Sequence, residues 1–232
     1  MVLAVITVPI DQNSTKGKKM GMTLRTVGPS PFGRKVRLAA AVLGLADQIT
    51  IEAADTMNSN DSILDQNPLG KIPALILEDG RVLYDSRVIV EYLDTIFGGA
   101  RLIPAETNAR FLALTTAALA DGILDAGILI VYEGRYRPNT EPHGPWIDHQ
   151  RGKIERGLAA LETTPPLIEP VTVGAIGAAC ALGYLDFRKG ELCEQDFDTT
   201  IVVNRELDTT KNAAIRRQIY TKVLNPIFTV ES

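Results

Sequence analysis

Few residues in this chain are of the types that usually announce chemistry. Of 232 residues, two are cysteine, two histidine and one tryptophan. Cys180 and Cys193 have a spacing unlike common metal or redox motifs and too few members for a disulfide framework, so both read as free thiols of a reducing compartment. His143 and His149 have no motif around them, which leaves metal and triad roles unsupported. Gly-x-Gly patterns and a Walker sequence are absent, so no phosphate loop is expected. The net charge of −4 gives no basic footprint for nucleic acid. No uninterrupted apolar run approaches the roughly 20 residues of a membrane span. Hydrophobic content of 45% and charged content of 22% describe an ordinary soluble globular protein with one large or two modest cores.

What is present is an ordered series of elements. Val2 to Ile10 is apolar, but no basic region precedes it and no small-residue cleavage site follows, which argues against a secretory signal. Residues 1–21 read as a disordered extension, or as the product of a start placed ahead of Met20 or Met22. Lys16, Lys18 and Lys19 are a solvated tail. Met22 to Val27 predicts a strand, broken by Gly28-Pro29-Ser30-Pro31. Phe32 to Leu43 predicts a helix, with Ser30 as its cap, Pro31 in its first turn and Gly44 at its end. Gln48 to Ala53 predicts a second strand.

The next stretch organises the rest. Asn67-Pro68-Leu69-Gly70-Lys71-Ile72-Pro73 leads into an apolar run, a turn at Glu78-Asp79-Gly80, a second run and a helix opening at Asp85-Ser86. Asp79-Gly80 is a hairpin signal, because Gly accepts the positive φ of a tight turn. A cis Ile72-Pro73 bond would turn the backbone of Ile72 away from the ladder, toward an extended ligand. Ser86 at a helix start suits a carboxylate, and Asp85 suits an ammonium. A purely structural reading, in which Asp85 or Ser86 caps a helix and Pro73 is punctuation, explains the same residues.

Beyond Gly98-Gly99 the pattern is helical. Thr107 to about Glu133, Pro145 to Glu162 and Val173 to about Phe187 are predicted helices, separated by proline-rich loops. Asp198 to Val203 reads as a strand and Asn212 to Leu224 as an amphipathic helix.

NPLGKIPAL followed by LYDSRVIVEYLD, with SPFGRKVRLAAAVLGL upstream and GAACALGYLDFR downstream, resembles the cytosolic glutathione transferase superfamily, in a bacterial-type form with serine at the activating position. The resemblance covers roughly residues 22 to 190. It implies an α/β thioredoxin-like domain over 22–98, a linker over 99–106 and an all-α helical domain over 107–232, with 188–232 unassigned. It implies Ser30 as the residue activating the glutathione thiol, although as sequence alone Ser30 is a helix cap. Ile72 with Pro73 would hold the cysteinyl part of glutathione, Asp85 and Ser86 the γ-glutamyl end, and Lys71 the glycyl carboxylate. Phe32, Tyr132 and Tyr136 would line the pocket of a second, electrophilic substrate. A cytoplasmic homodimer without metal follows from the same resemblance. The loop around Ser30 has no Cys, which disfavours disulfide exchange, and it lacks the serine-and-cysteine-rich signature of the maleylacetoacetate isomerase branch. Ala175 stands where the superfamily carries an Asp that completes a capping box with Thr172, so a weaker helix start is expected there. A non-catalytic interaction module and a specialised lyase or dehalogenase are the alternatives.

Overall fold

A computed structural model describes residues 21–167 and 169–188. The predicted strand at 198–203, the predicted helix at 212–224, residues 1–20 of the 1–21 extension and Cys193 lie outside the described residues.

The first half is a four-stranded mixed sheet in the order β2-β1-β3-β4. β1 (Met22–Thr26) runs parallel to β2 (Ile49–Ala53) and antiparallel to β3 (Ala74–Ile76), which pairs in turn with β4 (Val82–Leu83). Leu24 on β1 stands beside Leu75 on β3, and both are fully buried. The parallel β1–β2 pair requires a crossover, and α1 (Pro31–Val42) supplies it. Ser30 caps α1, Pro31 occupies its first turn and Gly44 turns the chain out with φ +67°. A short helix, α2 (Ile63–Gln66), precedes the Asn67 loop. The β3–β4 hairpin has the expected loop at Glu78-Asp79-Gly80. Leu77 and Arg81 pair across it, Gly80 N–H donates to Leu77 C=O, and Gly80 sits at φ +83°. This is a turn closed by a glycine bulge, with Gly80 in the positive-φ position that the hairpin signal predicts.

α3 (Ser86–Phe97) buries Ile89, Val90 and Leu93 against α1 and the sheet. Near its end the buried Asp94 carboxylate accepts from the backbone N–H groups of Arg101, Leu102 and Ile103 at 3.1, 2.7 and 3.2 Å. One side chain thereby fixes the connection into the second half.

That half comprises α4 (Thr107–Tyr136), α5 (Gly144–Thr163) and α6 (Val173–Phe187). α4 runs past Glu133 to Tyr136, one turn further than the sequence predicts, because Tyr132 and Tyr136 meet edge to face at 5.1 Å across that turn. By length and composition α4 could span a bilayer; half of its most apolar window is buried within the fold, where α4 packs on α5 and α6. Small residues let α4 and α6 approach closely. A Cβ on Gly174 would stand 2.9 Å from the Ala113 carbonyl oxygen, and one on Gly177 3.1 Å from the Ala120 side chain. Thr172 caps α6 through a long 3.4 Å bond from Ala175 N–H. The Val173 N–H donates to Leu102 C=O at 2.9 Å, which ties the first turn of α6 to the linker. α6 also packs against α1, which joins the two halves.

Candidate functional site

Strand register brings the predicted site residues to one end of the sheet. β1 pairs Arg25 with Ala74, so the next step places Thr26 beside Pro73. β3 pairs Leu75 with Leu83, the last residue of β4 and two residues before the Asp85 cap of α3. The carboxyl end of β1, the start of β3 and the start of α3 therefore share an edge, where open α/β sheets hold their ligands.

Each piece has a local cause. The Ile72-Pro73 bond is cis, and Ile72 lies outside the ladder that begins at Ala74. The loop before it is set by buried Asn67, whose Nδ2 donates to Lys71 C=O at 2.8 Å and whose Oδ1 accepts from Leu69 N–H at 3.1 Å. Gly70 takes φ +59° in that turn. Ile72 is half-buried, Pro73 buried and Lys71 exposed. Asp85 is the cap of α3, accepting from Arg87 N–H at 2.9 Å, and Ser86 behind it is only 2% exposed.

Ser30 Oγ accepts from Gly33 N–H at 3.1 Å. A serine hydroxyl that accepts one bond still has its own hydrogen to donate. A Cβ on Gly33 would collide with Thr26 Oγ1. That close approach seats the first turn of α1 on the end of β1. Thr26 Oγ1 is itself buried without a hydrogen-bond partner.

Charge links this edge to the helices. Arg87 reaches Asp85 Oδ2 at 3.3 Å and Asp121 Oδ2 at 3.6 Å. Asp121, on α4, takes both of its bonds from Lys35 Nζ at 2.7 and 2.9 Å. One turn on, partial burial and then the Asp121 charge push the Asp125 carboxyl up, against the pull of Arg87, Lys71 and Lys35. Sequence reasoning missed Lys35, Arg87 and Asp121. Nothing in their spacing signals that three elements converge.

A cavity of about 290 Å³ opens beside Ser30. The Gly28 to Pro31 loop and Arg34 form one wall. Cys180, Gly183, Tyr184 and Phe187 of α6 form the other. The Cys180 thiol is pushed up to about 12 by burial. Phe32, Tyr132 and Tyr136 do not line this cavity. Phe32 is half-buried against the core, with Lys35 Nζ 5.6 Å from its ring centroid. Tyr132 and Tyr136 are 37% and 53% exposed near the end of α4. α1 packs on α6, so α6 supplies the aromatics facing Ser30. Tyr184 and Phe187 stand three apart in the GYLDF segment, a spacing that puts both on one helix face and was legible in the sequence. His143 caps α5 by accepting from Trp146 N–H at 3.3 Å, and His149 stacks on Trp146. Among the described residues no three His, Cys, Asp or Glu side chains form a metal-binding group.

A thioredoxin-like sheet followed by a helical bundle, with a serine-capped helix and a cis-proline loop at one edge, defines the class. The family pattern for the glutathione S-transferase N-terminal domain matches residues 29–96. The uncharacterized GST-like protein YibF of Escherichia coli K12 is 34% identical over 166 residues, 69% of this chain and 80% of that one. A glutathione transferase family member from Pseudomonas fluorescens Pf-5, solved with bound glutathione, superposes with a TM-score of 0.69 at 40% identity, covering 84% of this chain and 98% of the other. A structure from the same organism with bound S-(propanoic acid)-glutathione gives a TM-score of 0.66 at 39% identity, covering 87% and 98%. The chain belongs to the glutathione S-transferase superfamily.

Proposed function

We propose that this protein is a glutathione transferase that activates the glutathione thiol at Ser30 and conjugates it to a small electrophile. In this reading Ile72 offers its backbone to the cysteinyl part, Asp85 and Ser86 take the γ-glutamyl ammonium and carboxylate, and Lys71 takes the glycyl carboxylate. The observation that carries it is that the end of β1, from which the chain runs on to Ser30, lies beside the start of β3, which the cis Ile72-Pro73 bond leads into. Relatives with bound glutathione, and one with a substituted sulfur, support it.

The Ser30 hydroxyl donates its remaining hydrogen to the sulfur, and the α1 dipole favours the anion. A hydrogen bond to a charged group contributes roughly 1.5–3 kcal/mol. At about 1.36 kcal/mol per pKa unit, the thiol falls by about one to two units from a starting value near 8.5. The thiolate then forms a C–S bond to the electrophilic carbon. The leaving group departs with the bonding pair, and the thiol proton goes to water. Proximity in a site shielded by α6 supplies the rest. The protein works in the cytoplasm as a homodimer. Exposed Val88 on α3 and Phe111 and Leu112 on α4 support an apolar pairing surface, which light scattering would test.

Calorimetric titration with glutathione tests the central claim. Saturable binding that Ser86→Ala weakens, with Ser30→Ala sparing affinity but raising the pKa of the bound thiol, is the expected result. A folded protein that does not bind glutathione overturns it.

A further inference from the structure

We propose that the electrophile accepted beside Ser30 carries an aromatic ring, and that Phe187 is the residue selecting it. This rests on the transferase reading above and deepens it by naming the substrate class.

Among the described residues, α6 contributes Cys180, Gly183, Tyr184 and Phe187 to the cavity. Spacings of three and four put them on one face of the helix. Phe187 differs from the rest. It is 60% exposed and belongs to neither apolar cluster of the core, whereas Cys180 and Tyr184 are buried members of the larger one. Leaving an aromatic ring exposed forfeits a large apolar burial, and here the exposed ring stands at the wall of a cavity. The Arg188 guanidinium lies 4.9 Å from the Phe187 centroid, on one face of the ring.

Helical side chains lean toward the N-terminus of their helix, so Phe187 lies over the turn of Gly183 and Tyr184. Gly183 brings no side chain to that turn. Tyr184 is drawn to the α4 side, where a Cβ on Gly127 would stand 3.4 Å from its Cε1. Gly174 serves the approach of α4, whereas about two and a half turns carry Gly183 to the opposite side of α6. The space beside Phe187 is therefore left to a ligand. Pro29 and Pro31 of the Ser30 loop stand across it, so an entering group meets rings on both sides. At about 290 Å³ the cavity is at the small end of ligand sites, with room for the reacting carbon and one ring. An aromatic ring gains more there than a saturated one, because ring pairs attract through their quadrupoles beyond the area they bury.

Calorimetry with glutathione, S-benzylglutathione and S-(cyclohexylmethyl)glutathione tests this, since the two conjugates share one carbon skeleton and differ in whether the ring is aromatic. The wild-type protein is expected to bind the benzyl conjugate about fivefold tighter than the cyclohexylmethyl one. Phe187→Leu keeps an apolar side chain and should abolish that preference, with glutathione affinity staying within about twofold of wild type. Phe187→Tyr should keep the preference. Wild-type protein that binds glutathione without preferring the benzyl conjugate overturns this proposal and leaves the transferase reading standing. A preference that survives Phe187→Leu undiminished belongs to another ring and also overturns it. Equal weakening of all three ligands by Phe187→Leu does the same, because Phe187 then serves glutathione itself. Failure of the wild type to bind any of the three removes both readings together.

Discussion

Lys35 Nζ and the Asp121 carboxylate meet at 2.7 and 2.9 Å with both residues buried, and the pair ties the helix that follows Ser30 to the long helix of the second half. Arg87, beside the Asp85 cap, completes the junction from a third element. The orientation of α1 at the candidate site therefore depends on an ion pair between the halves.

Removing one partner leaves a buried charge without its counterion. Lys35→Met is expected to cost about 3 kcal/mol, at the low end for buried pairs because Arg87 still reaches Asp121. Urea unfolding would measure it. Lys35→Met combined with Asp121→Leu should recover most of the loss, since a well-packed apolar pair replaces an ion pair at little cost. A double variant as unstable as the single one would show that the site tolerates no apolar substitute.

Gly33→Ala is expected to destabilise by about 1–3 kcal/mol, because its methyl group would overlap Thr26 Oγ1. It should also weaken glutathione binding by lifting the first turn of α1 off β1. Combining it with Thr26→Ala removes the obstructing hydroxyl and should restore part of the stability. Thermal melts of the single and double variants decide this.

Two carboxyls, Glu106 capping α4 and Asp125 on it, should respond to pH with opposite signs. Glu106 accepts from Ala109 and Asn108 N–H, in that order of effect, and is held below its ordinary 4.5. Its stabilisation is present above 4.5 and is lost as pH falls through the lower folded value. Glu106→Gln should thus be less stable than wild type at pH 7, with the gap closing in acid. Asp125 is raised above its ordinary 3.8, so its penalty is full at neutral pH and disappears below that value. Asp125→Asn should be more stable than wild type at pH 7 and equal to it near pH 3. Melting temperatures from pH 3 to 7 would show both trends.

Cys180 should be unreactive in the folded protein despite lining the cavity. With a thiol pushed up to about 12, its thiolate fraction at pH 8 is on the order of one in ten thousand. In a Cys193→Ser background, iodoacetamide should label Cys180 slowly in buffer and rapidly in denaturant. Fast native labelling would show that the cavity wall opens.

The sequence by itself determined most of the element order. Ser30-Pro31 and Gly44 bounded α1, Asp85 and Gly98 bounded α3, and the Asn67 to Pro73 run marked the loop before β3, because caps, prolines and glycines act through the backbone of their own neighbourhood. It missed the last turn of α4, where a cross-turn contact outweighed local signals. Only the tertiary structure decided which distant side chains face Ser30. Phe32 follows Ser30 closely in the chain yet packs into the core, while Tyr184 and Phe187, on the last described helix, form the cavity wall. The same holds for Lys35, Arg87 and Asp121, each an ordinary charged residue in its own helix. Their meeting is set by how α1, α3 and α4 pack, which depends on apolar burial summed over the whole core and not on the residues that meet.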